Sequence, residues 1–209
     1  MRCCCPKQPA GGKASEIRKW FLAALLYGAR TSEKIAANTY AEFDQAGLVS
    51  PETILSAGWH ELVNVLGRGG YKRDDFKRAD KLLRVSHTLL QEYASDLNTL
   101  HRVAADASDL ERRIKRLGKG IGDVTVNIFL REMRCIWPKA QPILSEGTVQ
   151  AAKALEFVQD NLSDKPRILQ MLKAASRNDG MRPEDFPEFE AALVRYGATL
   201  RRKRTSGTL

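Results

Sequence analysis

Hydrophobic residues recur every three to four positions over most of the chain, which is the spacing of amphipathic α-helices. In residues 15–29 they form a stripe of Ile17, Phe21, Leu25 and Leu26. The same spacing predicts inward-facing positions in two further helices: Ile35, Tyr40 and Phe43 in residues 31–47, and Phe76, Ala79, Leu82, Leu83 and Leu89 in residues 75–97. Alternating runs of strand length are scarce, so we predict an all-α fold.

Two helix starts are marked by capping residues. Ser50 followed by Pro51 is typical of a start, because serine accepts a bond from a free backbone N–H and proline suits the first helical position. Residues 108–111, Ser-Asp-Leu-Glu, have the form of a capping box and predict the start of a basic helix.

The chain is expected to have three parts. Residues 1–14 form a flexible leader without the apolar core of a signal peptide. Residues 15–160 form a helical domain. Residues 161–209 form a less regular extension, with one helix over 188–200 and a frayed basic tail over 201–209.

The net charge and the cysteine content restrict which binding partners and which cellular compartment we expect. The net charge of +9 suits a polyanion, and no apolar run approaches the ~20 residues that span a bilayer, so no membrane partner is expected. The four cysteines, Cys3, Cys4, Cys5 and Cys135, match neither a disulfide framework nor a metal-binding spacing. We expect a monomer in a reducing cytoplasm, associated with the nucleoid if the source is bacterial.

Residues 116–131, RLGKGIGDVTVNIFLR, place a Gly-x-Gly turn between a basic and an apolar helix. Gly120 and Gly122 allow close backbone approach, and a helix starting near Asp123 leaves unpaired N–H groups that attract an anion. Asp123 is expected to be the N-cap. The alternative is a helix–helix corner that needs glycine only to turn.

Side chains around the turn add to a phosphate site. We expect Thr125 to donate a hydroxyl hydrogen bond. The basic residues that add positive potential are Arg112, Arg113, Lys115, Arg116 and Lys119.

The stretch resembles the helix-hairpin-helix of the endonuclease III, or HhH-GPD, superfamily of DNA glycosylases, whose usual pattern is Leu-Pro-Gly-Val-Gly-x-Lys-Thr-Ala. Residues 120–122 match Gly-Val-Gly, and residues 125–126 match Thr-Ala. Upstream, residues 69–83 and 21–43 are similar to the segments that precede the hairpin in the family. The resemblance covers residues 16–158.

The resemblance implies a bundle that binds double-stranded DNA through a hairpin at residues 109–134. It implies a monovalent cation on the backbone carbonyls of Arg116, Gly118 and Ile121. The implied DNA contacts are Arg116, Lys119, Gly120, Ile121, Gly122, Asp123 and Thr125 in the hairpin, and Tyr71, Lys72 and Arg73 on the loop bordering the cleft.

The sequence departs from the family at its catalytic positions. Val124 stands where lyase members carry a Schiff-base lysine, and valine cannot form an imine. The usual aspartate about eighteen residues later is missing; Ser145 and Glu146 lie near its place, either as a catalytic pair or as an N-cap and first-turn acid. Lys72 is a candidate amine nucleophile. No iron–sulfur cysteine set is present, so no cluster is expected.

Three functions remain open. The first is a monofunctional base-excision glycosylase that extrudes a damaged or mismatched base, with Trp59 and Trp137 either stacking on that base or lying in the core. The second is a non-catalytic relative that binds DNA or damaged DNA. The third is a helical interaction protein whose basic surface is incidental.

Overall fold

The computed structural model describes residues 13–29, 31–71 and 75–205, and all regular structure in these ranges is helical. The helices are α1 (Ala14–Tyr27), α2 (Glu33–Gln45), α3 (Pro51–Gly69), α4 (Asp75–Tyr93), α5 (Leu97–Val103), α6 (Ala107–Arg116), α7 (Asp123–Met133), α8 (Glu146–Ala154), α9 (Lys165–Asn178) and α10 (Phe186–Thr205), with a 3₁₀ turn at Pro183–Asp185. The all-α prediction is confirmed. No helix in these ranges is long and apolar enough to cross a membrane.

The chain divides into two units, Met1–Ala140 and Gln141–Leu209. The predicted domain boundary at residue 160 falls inside the second unit. The reason is that α8, which precedes residue 160, packs along α10 and contributes to the apolar core of the second unit. The expected leader, residues 1–14, lies outside the described residues except for Lys13 and Ala14.

The first unit surrounds a large apolar core that α1 to α7 share. The stripe predicted for α1 is buried, and Phe21 meets Phe129 of α7 edge to face, with ring centroids 4.9 Å apart. Ser50 caps α3 with Pro51 in the first turn, as predicted. Gly58, at φ +72°, interrupts α3 and splits it into two helical segments.

Three local predictions are corrected. Asp106, not Ser108, caps α6, because its side chain accepts from the Asp109 N–H. The long fourth helix ends at Tyr93 instead of 97, since Ala94 and Ser95 adopt positive φ. Phe76, predicted to face the core, is 57% exposed.

The second unit is more regular than its sequence suggested. It contains α9, which was not predicted and which begins at an Asp164 cap with a proline in its first turn. The helix predicted over 188–200 is part of α10, which continues through most of the expected tail to Thr205.

Candidate nucleic-acid interface

The hairpin is built from α6, a short turn and α7. Leu117 and Ile121 are buried on either side of the turn. The Ile121 N–H donates to the Gly118 carbonyl over 3.2 Å, which closes the turn tightly. Lys119, Gly120 and the Gly122 backbone remain on the surface. The turn is therefore anchored by apolar side chains while its glycine backbone faces solvent.

The three glycines of the turn have different reasons to be glycine. A Cβ at Gly118 would lie 2.6 Å from Cγ2 of Val85, so the turn packs closely onto α4. Gly120 has φ +89°, a left-handed conformation that other residues rarely adopt. Gly122 has φ −104° and open space around its Cα, so neither its conformation nor its packing requires glycine.

The N-terminus of α7 carries no side-chain cap. Gly122 is the N-cap and forms no side-chain hydrogen bond, so the prediction that Asp123 is the cap is wrong. The first N–H groups of α7 thus lack the side-chain acceptor that most helix starts possess. The exposed Asp123 carboxylate instead pairs with Lys115 at 2.5 Å, which raises the pKa of that lysine.

Lys81 of α4 contacts the same turn, although the sequence reasoning did not select it. Its ammonium donates to the Gly120 carbonyl over 2.8 Å. Burial, together with the nearby Arg78, lowers the pKa of Lys81 to about 8. The signal that could have found it is helical spacing: Lys81 lies one turn before Val85, the residue under Gly118.

Only some of the basic residues predicted beside the turn are available to bind a phosphate. Arg112 and Arg113 both bind Asp109, and the hydrogen bond from Arg113 holds the pKa of that carboxyl at about 2. Arg116 and Lys119 are exposed, and neither forms an ion pair with another residue in the described ranges. These two side chains are the positive charges of the hairpin that are free to meet a phosphate.

Besides Ile121, two further predicted DNA contacts have side chains that are buried inside the protein. Thr125 is buried where α7 crosses the end of α1, and a Cβ on Gly28 would lie 2.0 Å from its hydroxyl. Tyr71 is buried, donates its hydroxyl to the Leu26 carbonyl at 3.0 Å and carries the Arg78 guanidinium 4.2 Å above its ring. Neither side chain is positioned to contact a phosphate at the surface. The neighbouring Lys72 and Arg73 lie outside the described residues.

Two of the three candidate catalytic residues, Ser145 and Glu146, lie at the start of α8, in the second unit. Ser145 is the N-cap and accepts from the Thr148 N–H, as one of the two interpretations predicted. Glu146 is 74% exposed and pairs with Lys165 at 2.5 Å. These contacts are those of a helix cap and a first-turn acid.

The two candidate stacking tryptophans have different surroundings. Trp137 is buried, stacks on His101 at 4.9 Å and donates its indole N–H to Asn98 over 3.0 Å, so it belongs to the core. Trp59 is half-buried at the surface between α3 and α4.

Backbone carbonyls are the remaining candidate ligands in the turn. Of the three proposed for a monovalent cation, those of Arg116, Gly118 and Ile121, the Gly118 oxygen already accepts the Ile121 N–H and keeps one lone pair. Within the described ranges no group of three or more His, Cys, Asp or Glu side chains is placed to hold a metal.

Comparison of the chain with protein-family models and with curated proteins finds no match.

Proposed function

We propose that this protein binds double-stranded DNA through the hairpin formed by α6 and α7. The observation that carries the proposal is the uncapped N-terminus of α7, which presents backbone N–H groups beside the exposed, left-handed Gly120. Such groups bind phosphate oxygens, and the helix dipole adds to the attraction. Arg116 and Lys119 supply exposed positive charge at the same place.

The glycines of the turn favour this proposal over a simple helix–helix corner. A corner explains the left-handed Gly120 and the closely packed Gly118, whereas Gly122 is free of conformational and packing demands. A glycine there is explained if a ligand approaches the backbone closely. A monovalent cation on the carbonyls of Arg116, Gly118 and Ile121 would add a further positive charge and is part of the same proposal.

Base excision, which the resemblance implies, requires a carboxylate beside the sugar. The acid nearest in sequence to the expected position is Glu146, which is exposed and paired with Lys165. Its surroundings favour DNA binding over glycosidic-bond hydrolysis as the function to test first.

The test is charge reversal at Lys119. Lys119→Glu should weaken binding of a duplex and reduce the slope of log K against log salt by about one, because one phosphate contact and its released counterion are lost. Lys34→Glu, at an exposed position on α2, gives the same change in net charge and should leave the slope unchanged. Equal effects of the two variants would remove the hairpin from the interface.

A further inference from the structure

An aromatic cluster lies on the surface of the first unit, outside the hairpin. Gly58 interrupts α3, and Trp59 directly follows the break. The Trp59 and Phe76 rings lie 5.2 Å apart at an interplanar angle of 34°, and His60 meets Trp59 edge to face, also at 5.2 Å. We call Trp59 and Phe76 the aromatic pair.

The aromatic pair is held in place but remains open to solvent. The Trp59 indole N–H donates to Asp80 of α4 over 2.9 Å, which fixes the orientation of the ring. Phe76 is 57% exposed although it stands at a position that the helical pattern assigns to the core. The phenyl ring beside an oriented indole therefore presents an apolar surface that the described part of the chain leaves largely uncovered.

Positive charge accompanies this face along α4. Lys77, Lys81 and Arg84 recur at helical spacing on the side of α4 next to the aromatic pair. Lys81 reaches Gly120, so this row of charges leads from the aromatic pair to the hairpin turn. Apolar rings beside a row of cations match a ligand that alternates flat bases with phosphates, which is a single-stranded nucleic acid.

We propose that the aromatic pair stacks an unpaired base of single-stranded DNA whose phosphates follow the basic row toward the hairpin. The proposal rests on the DNA binding proposed above and adds a second mode of contact. Stacking on an aromatic side chain is tolerant of base identity, because every base presents a π face. The pair should therefore bind thymine as well as purines.

The experiment compares an oligothymidylate with a base-free deoxyribose-phosphate oligomer of equal charge. Phe76→Ala should lower the affinity for oligothymidylate by about 5- to 150-fold, the range for one lost base stack, without changing the salt slope. Its affinity for the base-free oligomer should not change. Phe76→Trp should retain binding, and Val103→Ala, at another exposed apolar position, should have no effect.

Several outcomes would overturn this inference. They are equal binding of both oligomers by the wild type, an equal loss for both in Phe76→Ala, or no loss in either. Duplex binding by the same samples keeps the two proposals apart. If the wild type and Phe76→Ala bind duplex with the salt slope expected of the hairpin while base stacking fails, only the present inference falls. If no sample binds duplex, the proposed function falls.

Discussion

Substitutions at Gly120 and Gly122 test two different properties of the hairpin. The first tests the shape of the turn, and the second tests whether a ligand can approach its backbone. Gly120→Ala should cost about 1–2 kcal/mol of unfolding free energy, since alanine must adopt φ +89°. Gly122→Val should change that free energy by less than about 0.5 kcal/mol, because its backbone is extended and its surroundings are open.

The affinity for duplex DNA, unlike the free energy of unfolding, should depend strongly on Gly122. A valine there blocks approach to the first N–H groups of α7, so loss of one charge-assisted hydrogen bond should weaken duplex binding roughly ten- to hundredfold. Urea titration and fluorescence anisotropy measure the two quantities. A stable Gly122→Val protein with wild-type affinity would favour the helix-corner interpretation.

Lys81 gives a pH-dependent prediction. Its pKa of about 8 in the folded protein lies below the ordinary value of 10.5. As the pH falls from 10.5 to 8, the unfolded chain therefore binds the Lys81 proton before the folded protein does. The free energy of unfolding of the wild type should fall across this pH range relative to that of Lys81→Met, and the difference should stay constant below pH 8. NMR of lysine Cε should show one resonance with a midpoint near 8 that is missing in Lys81→Met. A Lys81 midpoint above 10 would contradict the prediction.

Residue roles were harder to predict than residue types. The glycines and the two exposed cations of the hairpin were identified from the sequence. Thr125 and Tyr71 were not placed correctly, because their burial depends on α1, which is distant in sequence. Phe76 has a core spacing but stands in the first turn of α4, facing the Trp59 ring at the surface.

At the scale of elements, a glycine permits a close backbone contact between α8 and α10. A Cβ at Gly197 would lie 2.1 Å from the Gly147 carbonyl oxygen, a backbone atom that cannot move aside alone. Gly197→Ala should therefore destabilise the second unit by about 1–3 kcal/mol. Thermal unfolding followed by circular dichroism measures the loss.

A matched control is available in α3. Gly67 is helical with nothing near its Cα, so Gly67→Ala should be neutral or slightly stabilising. Equal melting temperatures for Gly197→Ala and Gly67→Ala would show that the two helices can separate without cost.

Helices were predictable where either the amphipathic spacing or the local capping is clear. The core stripes of α1 and α2 were identified from their spacing, although α1 has no side-chain cap, and the start of α3 was identified from Ser50. The α9 helix was missed although Ile168 and Leu172 have helical spacing, because the surrounding prolines and charges obscured a narrow stripe.

At the scale of the whole molecule, the hairpin and Glu146 belong to different units. If Glu146 is a helix-start acid, Glu146→Gln should leave duplex binding unchanged and lower the stability of the second unit by about 0.3–1 kcal/mol. A screen of lesion-containing duplexes would test catalysis directly. A loss of about 10²–10⁴-fold in base release would instead assign Glu146 a catalytic role.

Covalent trapping gives an independent whole-protein test. Borohydride should not trap the protein on abasic DNA through position 124, since Val124 has no amine and is 62% exposed at the start of α7. Efficient trapping would point to a lysine elsewhere, and the first to replace would be Lys119 on the turn and Lys81, which contacts the turn from α4. Lys72 would follow.

The residues at the C-terminal end of the first unit contact its earlier helices. Trp137 packs against Phe129, and Lys139 donates to the carbonyls of His101, Arg102 and Ala104 at the end of α5. Every anchor of this unit therefore lies at or before Ala140. Domains fold as units during synthesis, and helical units fold in microseconds to milliseconds, so once the ribosome has released this segment the hairpin should form without waiting for the second unit to fold.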